Sequence, residues 1–271
     1  MRANILCDII KPMENPYIIN THSHLNMLKD ISIDEAIKNT QKEKIITIVP
    51  SCTNEDMLEV DKFIEKYDNL YGYVGIFPEE AKTFNDKTLS QMENIIRRNK
   101  KIIGIGEIGL DYYWDKSFKD LQKEIFIKQI EFANQMNLPL NIHSRDSHFD
   151  TLEILKKYNK NSIAIMHCFS GSIEFAKECI KEGIYISLGG VVTFKNAVKA
   201  KEVAREIPLE YMLLETDDPY LTPVPFRGTE NQPAYVKIVA DYIAQLREIS
   251  PEQIAKQTTE NAERIFNFNA K

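Results

Sequence analysis

We predict that this chain folds as a single-domain (β/α)8 barrel of the α/β class. Its 271 residues are close to the roughly 250 residues that one such barrel requires. Eight short runs rich in Ile, Val or Tyr recur along the chain, with longer amphipathic runs between them. Because the short runs are continuously apolar rather than alternating, they are typical of strands buried on both faces of a parallel sheet.

The predicted strands follow one another at regular intervals. They are "YIINTH" (17–22), "IITIVP" (45–50), "YGYVGIF" (71–77), "KIIGIGE" (101–107), "LPLNIHS" (138–144), "SIAIMHC" (162–168), "IYISLGG" (184–190) and "YMLLETD" (211–217). Their alternation with helical segments predicts parallel βα units throughout.

The helical segments carry start signals and apolar stripes. Ser32 and Glu35 have capping-box spacing, and Asn54 is predicted to cap the second helix. The segments are "SIDEAIKNTQKEK", "NEDMLEVDKFIEKY", "DLQKEIFIKQIEFANQM", "DTLEILKKY", "SIEFAKECIKEG", "NAVKAKEVAREI", "PAYVKIVADYIAQLRE" and "SPEQIAKQTTENAERIFNF". An open doubly wound sheet fits less well, because it usually has fewer strands and a Gly-rich turn after the first one.

Residues 1–16 are predicted to be an N-terminal extension of the barrel domain at 17–271.

Composition limits the classes of function. The formal net charge of −6, from 34 Lys and Arg against 40 Asp and Glu, argues against binding of polyanions by bulk charge. The four cysteines lack C-x-x-C spacing, which predicts reduced thiols. With no signal-peptide pattern and no long apolar run, we expect a cytoplasmic protein without membrane contact or an evident obligate protein partner.

Four of the five histidines and two carboxylates lie at the ends of predicted strands. In a (β/α)8 barrel, the carboxyl ends of the strands form the face that carries the active site. The predicted metal ligands on this face are His22, His24, Glu107, His143, His167 and Asp217. His148 is the exception, and we expect it to be an exposed residue at a helix start.

The number and type of these side chains predict the chemistry. Six ligands exceed what one tetrahedral ion with an open water position needs. They suit two divalent ions that share a carboxylate, an arrangement that hydrolyses esters. Imidazole and carboxylate ligands leave Mg²⁺, Mn²⁺ and Zn²⁺ as candidates. An H-x-H pair alone is more often structural, whereas Glu107 in the apolar "GIGEIG" is costly to bury unless it is paired or bound to metal.

Six motifs occur in order along the chain: "THSHLN", "GEIGLDYYW", "NIHSRD", "HCFSG", "GGVVTFKNA" and "ETDDPYLTPVPFRGTENQPAYV". From Tyr17 to about Phe266 the sequence closely resembles the TatD family of metal-dependent hydrolases, in the amidohydrolase-like superfamily. The resemblance implies a TIM-like barrel, a divalent metal site and deoxyribonuclease activity.

The resemblance also implies a role for each ligand. One ion would be held by His22, His24, Glu107 and Asp217. The other would be held by Glu107, His143 and His167, with Glu107 bridging the two. Glu107 and Asp217 are the predicted catalytic residues, and Asp217 would take the proton of the attacking water.

Three positions depart from the family's pattern. Asn20 and Asn26 stand where the family usually has Asp, and Phe226 stands where many members have His. We expect both asparagines to orient ligands or to close the bottom of the site, so that their missing negative charge would weaken metal affinity or raise the pH optimum of catalysis. Phe226 puts one substrate contact in doubt, not the metal site.

Local cations are needed if an acidic protein is to bind DNA. Arg145, Lys195 and Arg227 follow predicted strands and are the candidate phosphate contacts, although each could equally be a surface ion-pair partner.

From the ligand set and the family resemblance together, we predict a divalent-metal-dependent hydrolase that cleaves phosphodiester bonds of its substrate DNA, acting as an exonuclease-type deoxyribonuclease. Two alternatives stay open: hydrolysis of another ester or amide, such as an aminoacyl-tRNA ester, and a non-enzymatic barrel with a structural metal.

Overall fold

Parallel strands form a closed barrel in the computed structural model, which describes residues 17–266. The strands are β1 (Ile18–Asn20), β2 (Ile45–Val49), β3 (Leu70–Val74), β4 (Ile102–Asp111), β5 (Leu140–Arg145), β6 (Ala164–Met166), β7 (Tyr185–Leu188) and β8 (Met212–Leu214). Each strand pairs with the next, and β8 pairs with β1. The predicted fold class is therefore confirmed, while the predicted extension at 1–16 lies outside the described residues.

Helices connect successive strands on the outside of the barrel. They are α1 (Ile33–Lys42), α2 (Asn54–Ile64), α3 (Thr88–Arg98), α4 (Lys119–Met136), α5 (His148–Tyr158), α6 (Ile173–Lys181), α7 (Val198–Glu206), α8 (Val236–Arg247) and α9 (Pro251–Phe266). No helix within residues 17–266 has both the length and the hydropathy needed to cross a membrane.

Two details of the predicted helices were wrong. The helix α3 was not predicted, because the residue that precedes it, Lys87, makes no side-chain cap. Its buried Met92 and Ile95 nevertheless have helical spacing. The side chain that caps α2 belongs to Thr53, which accepts from the backbone N–H of Asp56. Asn54 is instead the first residue of that helix.

Strand β4 is longer than predicted, and this changes the position of Glu107. The strand continues to Asp111, so Glu107 lies inside it rather than at its end. The pairing of β4 with β5 shifts register between Ile105 and Ile108. Close approach of the two strands requires Gly109, since a Cβ there would lie 2.0 Å from the carbonyl oxygen of His143.

The barrel interior is apolar at its amino-terminal end and polar at its carboxyl-terminal end. An apolar cluster of strand residues that includes Ile19, Tyr73 and Leu213 packs against Phe266 of α9. Above it, buried polar residues line the strand ends, and the hydroxyl of Tyr73 donates to the carbonyl of Thr21 across 3.0 Å. The polar end therefore rests on a closed apolar base.

Candidate metal centre

The carboxyl-terminal end of the barrel brings the six predicted ligands together. Five strands supply them, either from the strand or from the residues that follow it: His22 and His24 (β1), Glu107 (β4), His143 (β5), His167 (β6) and Asp217 (β8). The cavity beside them has a volume of about 600 Å³. Metal ligands gathered at the mouth of a barrel are positioned for catalysis on a substrate that enters from solvent.

The first ligand group contains four atoms around one point. Nε2 of His22 lies 3.1 Å from Nε2 of His24. Both nitrogens lie 3.4 Å from Oε2 of Glu107 and 3.7 Å from Oδ1 of Asp217. A tetrahedral ion with bonds of ~2.1 Å separates its ligands by ~3.4 Å. The group therefore has the dimensions of a binding site for one divalent ion.

The second ligand group uses the other oxygen of Glu107. Oε1 lies 3.0 Å from Nδ1 of His143 and 2.9 Å from Nε2 of His167. The two imidazole nitrogens are 3.4 Å apart. These three atoms have a spacing that would suit ligands of a second ion, and both His143 and His167 line the cavity.

Glu107 lies at the electrostatic centre of the cluster, with 3% of its side chain exposed. Burial by itself raises its pKa, but the charges of His167 and His22 and hydrogen bonds from the neighbouring imidazoles hold this pKa well below its usual range. Burial opposes protonation of His24, His143 and His167, but their pKa values are nevertheless raised. The pKa of His24 is raised by contacts with Cys52 and Glu107, that of His143 by Asp111 and Glu107, and that of His167 first of all by the charge of Glu107. A divalent cation that binds these imidazoles therefore competes with their protonation.

Polar residues that the sequence analysis missed fix the orientation of two ligand rings. Nδ1 of His22 donates to Oδ1 of Asn141 across 2.7 Å, and this contact leaves Nε2 free to bind a metal. Nε2 of His143 donates to Oδ2 of Asp111 across 2.9 Å, which leaves Nδ1 free. Asp111 stands in the quoted motif "GEIGLDYYW", and an acidic residue directly after the apolar run "IGL", four positions after Glu107, was the signal that could have identified it.

Glu215 is a third residue that was missed. It is fully buried, and its Oε1 lies 3.6 Å from Nδ1 of His167. Burial raises the pKa of Glu215, but the contact with the His167 imidazole lowers it overall. An acidic residue two positions before Asp217 in a buried strand end was the available signal, because such a carboxylate needs a partner.

Asp217 is held in an unusual backbone conformation. Its φ is 55°, a left-handed value that costs a non-glycine residue roughly 1–2 kcal/mol. Its backbone N–H donates to the carbonyl of His22 across 3.1 Å. The contact joins the end of β8 to the end of β1 and aims the carboxylate at the first ligand group.

The two asparagines that depart from the family pattern have different surroundings. Asn20 braces the ends of β1 and β8: its Oδ1 accepts from the backbone N–H groups of His22 and Thr216, at 3.4 and 3.0 Å. Within residues 17–266, Asn26 makes no hydrogen bond to a predicted ligand; its Nδ2 donates to Oδ1 of Asp56 across 3.2 Å. The expected orienting role therefore suits Asn20, whereas the carboxylate next to Asn26 explains why an amide fits there.

The three predicted phosphate contacts are distributed unequally. Arg145 lines the cavity, and its guanidinium lies 3.8 Å from the ring centre of Tyr113. Lys195 is exposed and Arg227 lies 3.9 Å over the ring of Phe194; neither is among the residues that line the cavity. The structure therefore brings Arg145 to the ligand cluster and leaves the other two on surrounding loops.

His148 and Phe226 also have identifiable neighbours. His148 begins α5 as expected, but it is partly buried rather than exposed, since its ring stacks on Phe175 with centroids 5.0 Å apart. Phe226 is exposed and stacks on Tyr235 with centroids 4.9 Å apart. Both rings pack outside the ligand cluster.

Comparisons with known proteins match the chain over nearly its whole length. A family model described as TatD related DNase matches residues 19–267. The chain is 46% identical to the uncharacterized metal-dependent hydrolase YabD of Bacillus subtilis (strain 168), over 93% of this chain and 100% of the relative. It is 34% identical to the uncharacterized metal-dependent hydrolase YcfH of Escherichia coli (strain K12), over 94% and 97%. The crystal structure of YJJV, a TatD homolog from Escherichia coli K12, superposes with a TM-score of 0.86 at 29% identity, over 92% and 98%.

Proposed function

Because this chain belongs to the TatD family of metal-dependent hydrolases, we propose that it hydrolyses phosphodiester bonds of DNA with the help of two divalent metal ions. The observation that carries the proposal is the placement of Glu107 between two ligand groups. Its Oε2 faces His22 and His24, and its Oε1 faces His143 and His167. A carboxylate shared in this way suits a pair of ions ~3.5–4 Å apart.

The chemistry of the site follows from the roles of its side chains. Bound divalent ions polarise a phosphoryl oxygen and lower the pKa of a water molecule. Asp217 is 15% exposed toward the cavity and is the proposed acceptor of the proton that the attacking water loses. Asp111 and Asn141 hold the rings of His143 and His22, so that the ligand nitrogens keep their direction during the reaction.

The mouth of the cavity offers groups that suit a nucleic acid strand. Arg145 can pair with a phosphate, and its guanidinium lies beside the adjacent rings of Tyr113 and Trp114, 3.8 and 5.3 Å from their centres. Trp114 is 64% exposed and presents a face on which a base can stack. Lys195 and Arg227 remain candidate phosphate contacts on the surrounding loops. These local groups compensate for the negative net charge of the whole protein.

The test is digestion of end-labelled oligonucleotides by the purified full chain. We expect the metal-loaded protein to shorten DNA from an end, EDTA to stop the reaction, and added Mg²⁺ or Mn²⁺ to restore it. The proposal fails if single-stranded and double-stranded DNA both stay intact from mildly acidic to mildly alkaline pH.

A substrate panel separates the alternatives in the same experiment. Cleavage of carboxylic esters or amides, with no cleavage of DNA or of nitrophenyl phosphodiesters, would assign the site to another bond. Metal analysis by mass spectrometry tests the non-enzymatic alternative, because a structural metal would stay bound while every substrate is left intact.

A further inference from the structure

A thiol lies beside the first ligand group, and the proposed reaction does not use it. Cys52 follows β2, is partly buried and lines the cavity. Its Sγ, one nitrogen of His24 and one carboxylate oxygen of Glu107 all lie within 4.8 Å of one another. His24 is only 7% exposed, and its Nδ1 has no hydrogen-bond partner among the described residues. A buried imidazole with an unsatisfied nitrogen next to a thiol and a carboxylate is typical of a metal-binding cluster.

We propose that His24, Cys52 and Glu107 form an alternative position for the first ion, one that selects a thiophilic divalent cation such as Zn²⁺ or Cd²⁺. The inference rests on the proposed function, because His24 and Glu107 also belong to the first ligand group. Thiolate ligands select soft cations, whereas Mg²⁺ and Mn²⁺ prefer oxygen ligands. Coordination replaces the thiol proton of Cys52 by the cation, and this proton leaves to solvent.

The geometry shows what binding requires. A tetrahedral ion with Zn–S and Zn–N bonds of ~2.3 and ~2.1 Å separates sulfur from nitrogen by ~3.6 Å. The sulfur, nitrogen and oxygen atoms of the three residues all lie within 4.8 Å of one another, which places them within reach of one cation. The backbone of Cys52 is fixed, because its N–H donates to Oδ2 of Asp56 across 2.7 Å and its carbonyl accepts from the backbone N–H of Phe77 across 2.9 Å. Rotation about the Cα–Cβ bond of Cys52 is therefore the movement by which the thiol can adjust to a bound cation.

The alternative position has a consequence for activity. It does not include His22 or Asp217, so a cation held there is not coordinated by the proposed proton acceptor. Because a neutral imidazole offers one lone-pair nitrogen to a metal, His24 cannot hold a cation at both positions at the same time. Soft cations should therefore displace the productive ion, and a variant without the thiol should resist this inhibition.

The experiment is a titration of the metal-free full chain with Cd²⁺, followed by ultraviolet absorption. Wild-type protein is compared with Cys52→Ser and with the matched control Cys168→Ser. Cys168 lines the same cavity but belongs to none of the ligand clusters among the described residues. We expect a sulfur-to-cadmium charge-transfer band in wild type and in the control, and no such band in Cys52→Ser.

Affinities give a second readout. Changes outside the coordination sphere already cost roughly 10–100-fold in metal affinity, so loss of a direct thiolate should weaken Cd²⁺ binding by at least about tenfold. Binding of Mn²⁺ should be the same in all three proteins. If Cys52→Ser fails to fold, thiol alkylation of wild type decides the question: Cd²⁺ should protect Cys52 from the reagent, and Mg²⁺ should not.

Titration with Co²⁺ distinguishes this inference from the proposed function. Visible ligand-field bands without a near-ultraviolet thiolate band would overturn the role of Cys52 and leave the imidazole and carboxylate site intact. Absence of both kinds of band would overturn the metal centre itself. A thiolate band that persists in Cys52→Ser would also contradict the inference.

Discussion

Asp111 accepts a hydrogen bond from Nε2 of His143 across 2.9 Å. This contact determines which nitrogen of the ring faces the ligand cluster, because Nδ1 then points at Oε1 of Glu107, 3.0 Å away. Burial raises the pKa of Asp111, but the hydrogen bond from His143 and two backbone N–H groups lower it overall. The carboxylate therefore stays ionised and supports the imidazole as a ligand.

Replacement of this carboxylate tests its role. Asp111→Asn keeps the shape of the side chain and removes its charge, so we expect metal affinity and hydrolysis to fall by roughly 10–100-fold. Asp115→Asn is the matched control, because Asp115 is an exposed acid on the following loop, 3.9 Å from Lys82. Equal metal content and rate in the two variants would show that Asp111 does not support His143.

Glu107 should be the least replaceable of the ligands. Glu107→Gln removes the charge that both ligand groups share. We expect hydrolysis to slow by roughly a thousandfold, which corresponds to a loss of about 4 kcal/mol in stabilisation of the transition state. Mass spectrometry should find less than the wild-type amount of metal in the variant. A variant that kept the wild-type rate and metal content would show that the cluster has been assigned wrongly.

Metal binding should release protons and become tighter as pH rises. The pKa values of His24, His143 and His167 are raised in the metal-free protein, and each imidazole must lose its proton to bind a metal. Calorimetry in two buffers with different ionisation enthalpies measures the released protons directly. Identical apparent enthalpies in both buffers would count against the protonated cluster.

The same pKa shifts have the opposite effect on the stability of the metal-free protein. A raised pKa stabilises the fold fully below the ordinary value of 6.5, and this contribution is lost as pH rises through the raised values. Thermal unfolding in the presence of EDTA should therefore show a falling Tm above neutral pH. Added divalent metal should reduce or reverse this fall, because it binds the neutral imidazoles.

Arg145 should contribute to substrate binding more than to chemistry. It lines the cavity, so Arg145→Ala removes a phosphate contact, and we expect a KM for oligonucleotides roughly tenfold higher with a smaller change in kcat. The dependence of KM on salt should also weaken. Lys195→Ala and Arg227→Ala are the comparison variants, with smaller expected effects because neither residue lines the cavity. A larger effect of either variant would indicate that the substrate binds along the loop that carries the replaced residue.

Asn26 should affect stability rather than metal binding. Asn26→Asp places a second carboxylate against Asp56, whose pKa is already raised, first of all by burial. We expect a loss of about 1 kcal/mol in the free energy of unfolding at neutral pH, which disappears at low pH as the carboxylates become protonated. Exposed Asn196 provides the control variant, Asn196→Asp. Unchanged stability together with altered metal affinity would favour the role expected from the sequence.

The sequence by itself determined the barrel and the set of candidate ligands. Continuous apolar runs identify strands buried on both faces, and the ends of parallel strands must meet on one side of a barrel. His22 and Asp217, 195 residues apart in the numbering, could therefore be placed together without coordinates. Helix α3 shows the limit of local signals, since its start has no capping side chain.

Only the tertiary structure decided how these side chains are oriented and supported. The register shift between β4 and β5 determines that Asp111 reaches His143 and that the two oxygens of Glu107 face different histidines. The contact between Asn26 and Asp56, and the position of Cys52 beside His24, depend on where separate loops meet. Such relationships are set by strand register and side-chain rotamers, which depend on packing across the whole barrel rather than on neighbours in sequence.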